Sequence, residues 1–223
     1  LEKTVIGDPA NETVRMGALA SHLQVERVRE NVNLLKQEQE IVYGDMDNFE
    51  VVGADRDKGA FFSPILFRNN EPHKHVKVHE TECFGPVSTL MPYKDIDDAV
   101  QLARMGKGSL VSSIITADDK IATDYVVNAA SMHGRILVLN ERCAKESTGH
   151  GSPMPMLTHG GPGRAGGGEE MGGMRGIMHY LQRTAIQGHP QTITAITGQF
   201  QIGADQPEAV PHVFRQHFEE LKV

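Results

Sequence analysis

Apolar residues return every three or four positions at Val25, Val28, Val32 and Leu35, while Glu26, Arg27, Glu30 and Lys36 fall on the other side. That period predicts an amphipathic helix. Ser21-x-x-Gln24 has the spacing of a capping box, in which hydroxyl and amide satisfy first-turn donors. Ile41 to Tyr43 and Glu50 to Val52 are short strand candidates separated by Gly44-Asp45. Phe61 to Phe67 reads as a buried strand, and Pro64 within it predicts an edge or a bend.

From Gly85 onward strand and helix patterns alternate. Val87 to Met91 reads as a strand, and Asp95 caps a helix with Ile96, Ala99, Val100 and Ala103 inward and Gly106 as its stop. Leu110 to Ile115 is the next β-rich run. Asp118 opens a helix that turns Ile121, Tyr125, Ala129 and Met132 inward and ends at Gly134. Arg135 to Leu139 is a third strand. Alternation of this length implies right-handed crossovers and a parallel sheet, hence an α/β layer. Gly149 to Gly168 has no period and is rich in glycine and proline; Glu169 to Leu181 reads as a weak helix and Thr184 to Gln187 as a short closing strand. Gln201 to Pro211 reads as a linker, and Val213 to Val223 as the opening of something new.

Composition narrows the function. The 223 residues carry 22 Lys plus Arg against 29 Asp plus Glu, a formal charge of −7, with no Trp. An acidic chain without a basic cluster or stacking aromatics is a poor nucleic-acid binder. No apolar run approaches a membrane span. Two cysteines make no disulfide framework, so a reducing cytoplasmic setting is expected. The chain begins at Leu1 with Glu2-Lys3 already reading as mid-element, and is read as a fragment.

Several candidate motifs compete for chemistry. Gly161-x-Gly163-x-x-Gly166 matches the dinucleotide fingerprint, yet a proline-broken loop precedes it, Pro162 fills the turn and no carboxylate follows near Ile186. A packing or hinge loop is the expectation. His73-x-His75-x-x-x-His79, beside Glu80, has the spacing of neither a helix face nor a zinc knuckle, so no metal is read there. Cys83 and Cys143 are possible nucleophiles, although Glu82 should raise the pKa of Cys83. His150 and His159 could serve as acid or base, or simply orient their loop.

The most informative run is Glu82-Cys83-Phe84-Gly85-Pro86-Val87. Its carboxylate can accept hydrogen bonds from a pair of ribose hydroxyls, and its ring can pack beneath a sugar or a nicotinamide. Taken with Gly7-Asp8-Pro9 through Met16-Gly17, Phe61 to Phe67, and Gly160 to Arg164 before a helix and last strand, it resembles the aldehyde dehydrogenase superfamily. The resemblance covers about Leu1 to Gln199 and only the C-terminal portion of the catalytic domain. It implies a three-layer α/β fold with a parallel-rich sheet and flanking helices, the Rossmann part lying before Leu1. Glu82 and Phe84 would then contact the nicotinamide ribose and ring of NADP or NAD, while no residue matches the family's nucleophilic cysteine or water-activating glutamate. In that chemistry a thiol adds to the aldehyde, a hydride passes to the nicotinamide and water releases the acid.

The stretch Ser147 to Pro155 with His159 to Arg164 is similar to the bifunctional branch of phenylacetate degradation, where a MaoC-like hot-dog hydratase domain follows the dehydrogenase. That resemblance implies a coenzyme A-linked semialdehyde substrate, with Ser147 to His159 shaping its entrance. It also implies a dehydrogenase portion over 1–199, a linker and hydratase start over 200–223, and a homo-oligomer paired through Thr184 to Gln187. The alternatives are a stand-alone coenzyme A-semialdehyde dehydrogenase of another aromatic pathway, or an assembly module without catalysis.

Overall fold

A computed structural model of the chain describes residues 1–147, 157, 159–166, 173–181 and 186–204. The chain divides into two units, Leu1–Gly172 and Gly173–Val223. The first unit opens with a looped segment tied by two isolated parallel bridges, Ile6 with Met16 and Gly7 with Val52. The Glu50 to Val52 strand expected from the sequence is reduced to that single bridge. Helix α1 (His22–Leu35) follows, capped by Ser21, whose side chain accepts from the amide of Gln24. The Gln24 side chain reaches back to the amide of Ala20 at 3.0 Å, completing a box shifted by one residue.

Strand β1 (Glu40–Tyr43) pairs antiparallel with β2 (Ile65–Arg68), which pairs in parallel with β3 (Val87–Leu90). The four-residue helix α2 (Lys77–Glu80) lies between β2 and β3 in sequence. Pro64 stands just before β2, so only the second half of the apolar run Phe61 to Phe67 is strand, and β2 is central rather than an edge. The missing N–H of proline costs nothing there because pairing starts one residue later. Val28, Val32 and Leu35 of α1 meet Phe62, Ile65, Phe67 and Cys83 in one core cluster.

The second half of this unit is a separate two-stranded parallel sheet. Helix α3 (Ile96–Met105) is capped by Asp95, and α4 (Asp119–Ala129) by Asp118, each side chain accepting first-turn amides. Strands β4 (Ser109–Ile115) and β5 (His133–Leu139) pair from Ser109 with His133 to Ile115 with Leu139. Val100, Tyr125 and Ala129 form the core between helices and sheet. Ile121, expected inward, is 40% exposed although it shares a face with the buried Tyr125 and Ala129; it stands in the first turn of α4, where the burial seen at Tyr125 and Ala129 is not reached. Gly106 ends α3 in a right-handed conformation, and the left-handed step falls on Lys107 and Gly108. Helix α4 closes through a 3-10 turn, Ala130–Met132, so Gly134 belongs to β5 and not to the helix end.

In the second unit, α5 (Gly173–His179) falls within the expected weak helix, whose residues 169–172 lie outside the described residues. Ile186 and Gln187 carry no regular structure, and Thr184 and Ala185 lie outside the described residues, so no closing strand is described there. Helix α6 (Pro190–Thr197) follows instead. Pro190 in its first turn and left-handed Gly198 after its end are the signals that could have located it. The tail from Asp205 onward also lies outside the described residues.

Candidate functional site

Between α2 and β3 the chain runs through Thr81 to Pro86 without regular structure. Cys83 turns inward, 8% exposed, into the α1–β2 core. Its neighbours Glu82 and Phe84 are therefore thrown outward, and both are exposed. Together they line a cleft of about 360 Å³ with Leu35, Val78, Cys83 and Thr89 among its walls. That size lies within the range of small-molecule sites. The Glu82 carboxylate has no hydrogen-bond or ion-pair partner among the described residues, leaving both oxygens open to accept.

Phe84 combines two unfavourable features. Its φ is 50°, in the left-handed region that bulky residues avoid, and 74% of it is exposed. An exposed aromatic in a strained backbone is an arrangement that a ligand-facing role explains. The next residue must be small: a β-carbon at Gly85 would stand 2.7 Å from Cγ2 of Val28. Strand pairing resumes at once, with the amide of Ile65 donating to the carbonyl of Pro86 at 2.9 Å.

The backbone leading to this turn is held by side chains from elsewhere, which sequence reasoning missed. The Gln24 amide donates to the Phe84 carbonyl at 2.6 Å, and the Asn31 amide to the Glu82 carbonyl at 3.1 Å. From the opposite direction in sequence, the Arg164 guanidinium donates to the carbonyls of His79 at 2.8 Å and Glu80 at 3.0 Å. Gln24 was legible only as a capping residue, and Arg164 only as the end of a glycine-rich loop.

A model of the aldehyde dehydrogenase family matches residues 1–186. The chain belongs to that family. It is 47% identical over 208 residues to Protein MaoC of Klebsiella aerogenes, covering 93% of this chain and 60% of that protein. It is 41% identical over 157 residues to 3,4-dehydroadipyl-CoA semialdehyde dehydrogenase of Aromatoleum evansii, covering 70% of this chain and 30% of that enzyme. Among solved structures, the aldehyde dehydrogenase AldC of Pseudomonas syringae, solved with NAD+ and octanal, superposes with a TM-score of 0.62 at 26% identity over 80% of this chain and 33% of that one. Betaine aldehyde dehydrogenase of Staphylococcus aureus shares the fold with a TM-score of 0.66 at 21% identity, covering 81% of this chain and 33% of that one. The chain thus spans three fifths or less of the length of these relatives, and its α/β fold is that of an aldehyde dehydrogenase.

The remaining candidates divide clearly in this aldehyde dehydrogenase chain. Burial, then the Glu82 charge, pushes the Cys83 thiol up to about 11, which makes it a poor nucleophile. Cys143 sits in a turn, its sulfur 3.6 Å from the carbonyl and 3.5 Å from the amide of Asn140. The three histidines read against a metal go separate ways. His73 meets Asp98 at 2.6 Å, His79 meets the carbonyl of Pro72 at 2.9 Å, and His75 lies 3.9 Å from Glu71. Among the described residues no group of three or more His, Cys, Asp or Glu is placed to hold a metal ion, and no helix is long and apolar enough to cross a membrane. His150 lies outside the described residues; His159 forms an isolated bridge.

The glycine-rich segment is a packing loop, as its proline-broken approach suggests. Gly163 opens a 3-10 turn ending in left-handed Gly166, and the amide of Arg164 donates to the carbonyl of Lys107 at 3.0 Å. β-Carbons at Gly163 and Gly108 would overlap the carbonyls of Lys107 and Pro162 respectively. One at Gly134 would stand 2.6 Å from the carbonyl of Gly160. This loop fastens to the β4–β5 region through two of its three glycines, Gly161 against Leu110 and Gly163 against the carbonyl of Lys107.

Proposed function

We propose that this chain carries the nicotinamide-facing part of an NAD(P)-dependent semialdehyde dehydrogenase acting on a coenzyme A-linked aldehyde in aromatic, phenylacetate-type degradation. The observation that carries the reading is that Glu82 and Phe84 line the same cleft on either side of the buried Cys83. The unpaired carboxylate suits the two ribose hydroxyls, and the exposed ring suits the flat face of a nicotinamide or its sugar. When bound, the coenzyme supplies the hydride acceptor. This chain's contribution is to hold it: Glu82 fixes the sugar, Phe84 supports the ring, and the apolar wall of Leu35 and Val78 limits water.

Neither Cys83 nor Cys143 acts as the nucleophile in this reading, because one is buried with a raised pKa and the other is engaged by its own turn. The substrate class draws support from the activity of the 41%-identical semialdehyde dehydrogenase, and the nicotinamide coenzyme from the AldC structure solved with NAD+. The 47% identity to Protein MaoC, over nearly the whole chain, supports a bifunctional protein with the dehydrogenase portion at 1–199 and a MaoC-like continuation from 200. A cytoplasmic homo-oligomer completes the proposal.

The test is Glu82→Gln in the intact dehydrogenase. Removing charge-assisted hydrogen bonds of about 1.5–3 kcal/mol should slow hydride transfer or weaken coenzyme affinity by roughly tenfold or more. Unchanged kcat and coenzyme KM would remove the role assigned to Glu82.

A further inference from the structure

We propose that Gln24, Asn31 and Arg164 are positioning residues that fix the Glu82–Phe84 turn by holding its approach through backbone carbonyls; the proposal rests on the reading of Glu82 and Phe84 given above. Residues Thr81 to Phe84 belong to no helix or strand. Their conformation therefore depends on whatever takes their polar groups. Between His79 and Phe84, four carbonyls are taken by side chains distant in sequence: His79 and Glu80 by Arg164, Glu82 by Asn31, and Phe84 by Gln24.

Gln24 and Asn31 stand seven residues apart on α1, two helical turns along one face. Val28, midway between them, is the residue against which Gly85 packs. One helix face thus grips the turn at three successive points. Arg164 holds the other end with its two terminal nitrogens, bringing the glycine-rich loop into the same arrangement.

The consequence falls on Phe84. With φ at 50° its backbone sits in a conformation a phenylalanine leaves unless something retains it. The 2.6 Å hydrogen bond from Gln24 to its carbonyl is that restraint. Without it the residue relaxes to negative φ, the ring swings away from the cleft and the carboxylate two residues earlier loses its setting.

Gln24→Glu separates positioning from folding. Glutamate keeps an acceptor for the amide of Ala20 and adds a negative charge favoured at a helix start, but it has no donor for the Phe84 carbonyl. Asn31→Asp makes the same exchange at the Glu82 carbonyl, and Arg164→Lys keeps the charge while losing the two-pronged donor. Two readouts apply. In the full chain, selective 13C labelling reports the Phe84 backbone conformation through its α-carbon shift. In the intact dehydrogenase, coenzyme titration and turnover report the site.

For Gln24→Glu the expected result is a moved Phe84 α-carbon shift, an unchanged melting temperature and coenzyme affinity weakened about tenfold. An unmoved shift with affinity within twofold of wild type overturns the proposal. Should the wild-type enzyme bind no coenzyme, the reading of Glu82 and Phe84 falls, while the labelled chain still decides whether Gln24 holds Phe84.

Discussion

Gly85 and Val28 touch so closely that the glycine's missing side chain is what lets the turn lie on α1: a β-carbon would stand 2.7 Å from one methyl of the valine and 3.2 Å from the other. Val28 is fully buried in the core and cannot step aside freely. Gly85→Ala should therefore destabilise the fold by about 1–3 kcal/mol through overpacking. Denaturant titration checks this, and Val28→Ala in the same background should recover part of the loss by opening space.

The thiol of Cys83 sets a second expectation. In the folded chain it is pushed up to about 11 from an ordinary 9.0, so the native state binds its proton more tightly than the unfolded state does. Stability from this group is fully present below about pH 9 and is lost as pH rises toward 11. Unfolding midpoints at pH 8 and pH 10.5 should differ by less in Cys83→Ala than in wild type. Alkylation of Cys83 should accelerate about tenfold per pH unit over that interval.

His133 gives the opposite slope. Its Nδ1 lies 2.6 Å from the Ser109 hydroxyl and its ring stacks on Tyr125 with centroids 6.4 Å apart. Burial lowers its pKa from the ordinary 6.5, so the unfolded state takes up the proton first as pH falls. The contribution is present above about pH 6.5 and disappears below it, through the lowered folded value. A His133→Gln variant should lose less stability than wild type between pH 7.5 and pH 5.5, measured by urea midpoints.

Much of the fold could be read from local chemistry. Ser21, Asp95 and Asp118 all cap the helices their positions predicted, because an N-cap is a contact within three residues. The run from Leu110 to Ile115, which the structure begins one residue earlier at Ser109, and the parallel pairing of β4 with β5 follow from alternation of the same local kind. What escaped depends on distance. Gly134 reads as a helix stop, yet it is a glycine because the carbonyls of Gly160 and Leu110 approach it within β5. The division into two sheets, with β3 unpaired to β4, left no mark on the strand patterns.

The same distinction governs the site. Glu82 and Phe84 were visible because acid, aromatic and turn residues are adjacent. Gln24, Asn31 and Arg164 were not, since an amide or guanidinium meeting a carbonyl 51 to 85 residues away imposes no period on either segment. Glu82 and Phe84 line the cleft from one short run of sequence, whereas the side chains that hold their turn come together only in the fold.

The backbone-on-backbone seam at Gly108, Gly134 and Gly163 has a further effect on how this protein can change. No single methyl group can be admitted at any of the three without parting strands from loop, so drift at one position cannot be relieved at another. Sequence variation in this neighbourhood should therefore concentrate on residues whose side chains point away from the seam. The segment that bears Arg164 thus inherits its fixed address from hydrogen atoms standing where other residues carry carbon.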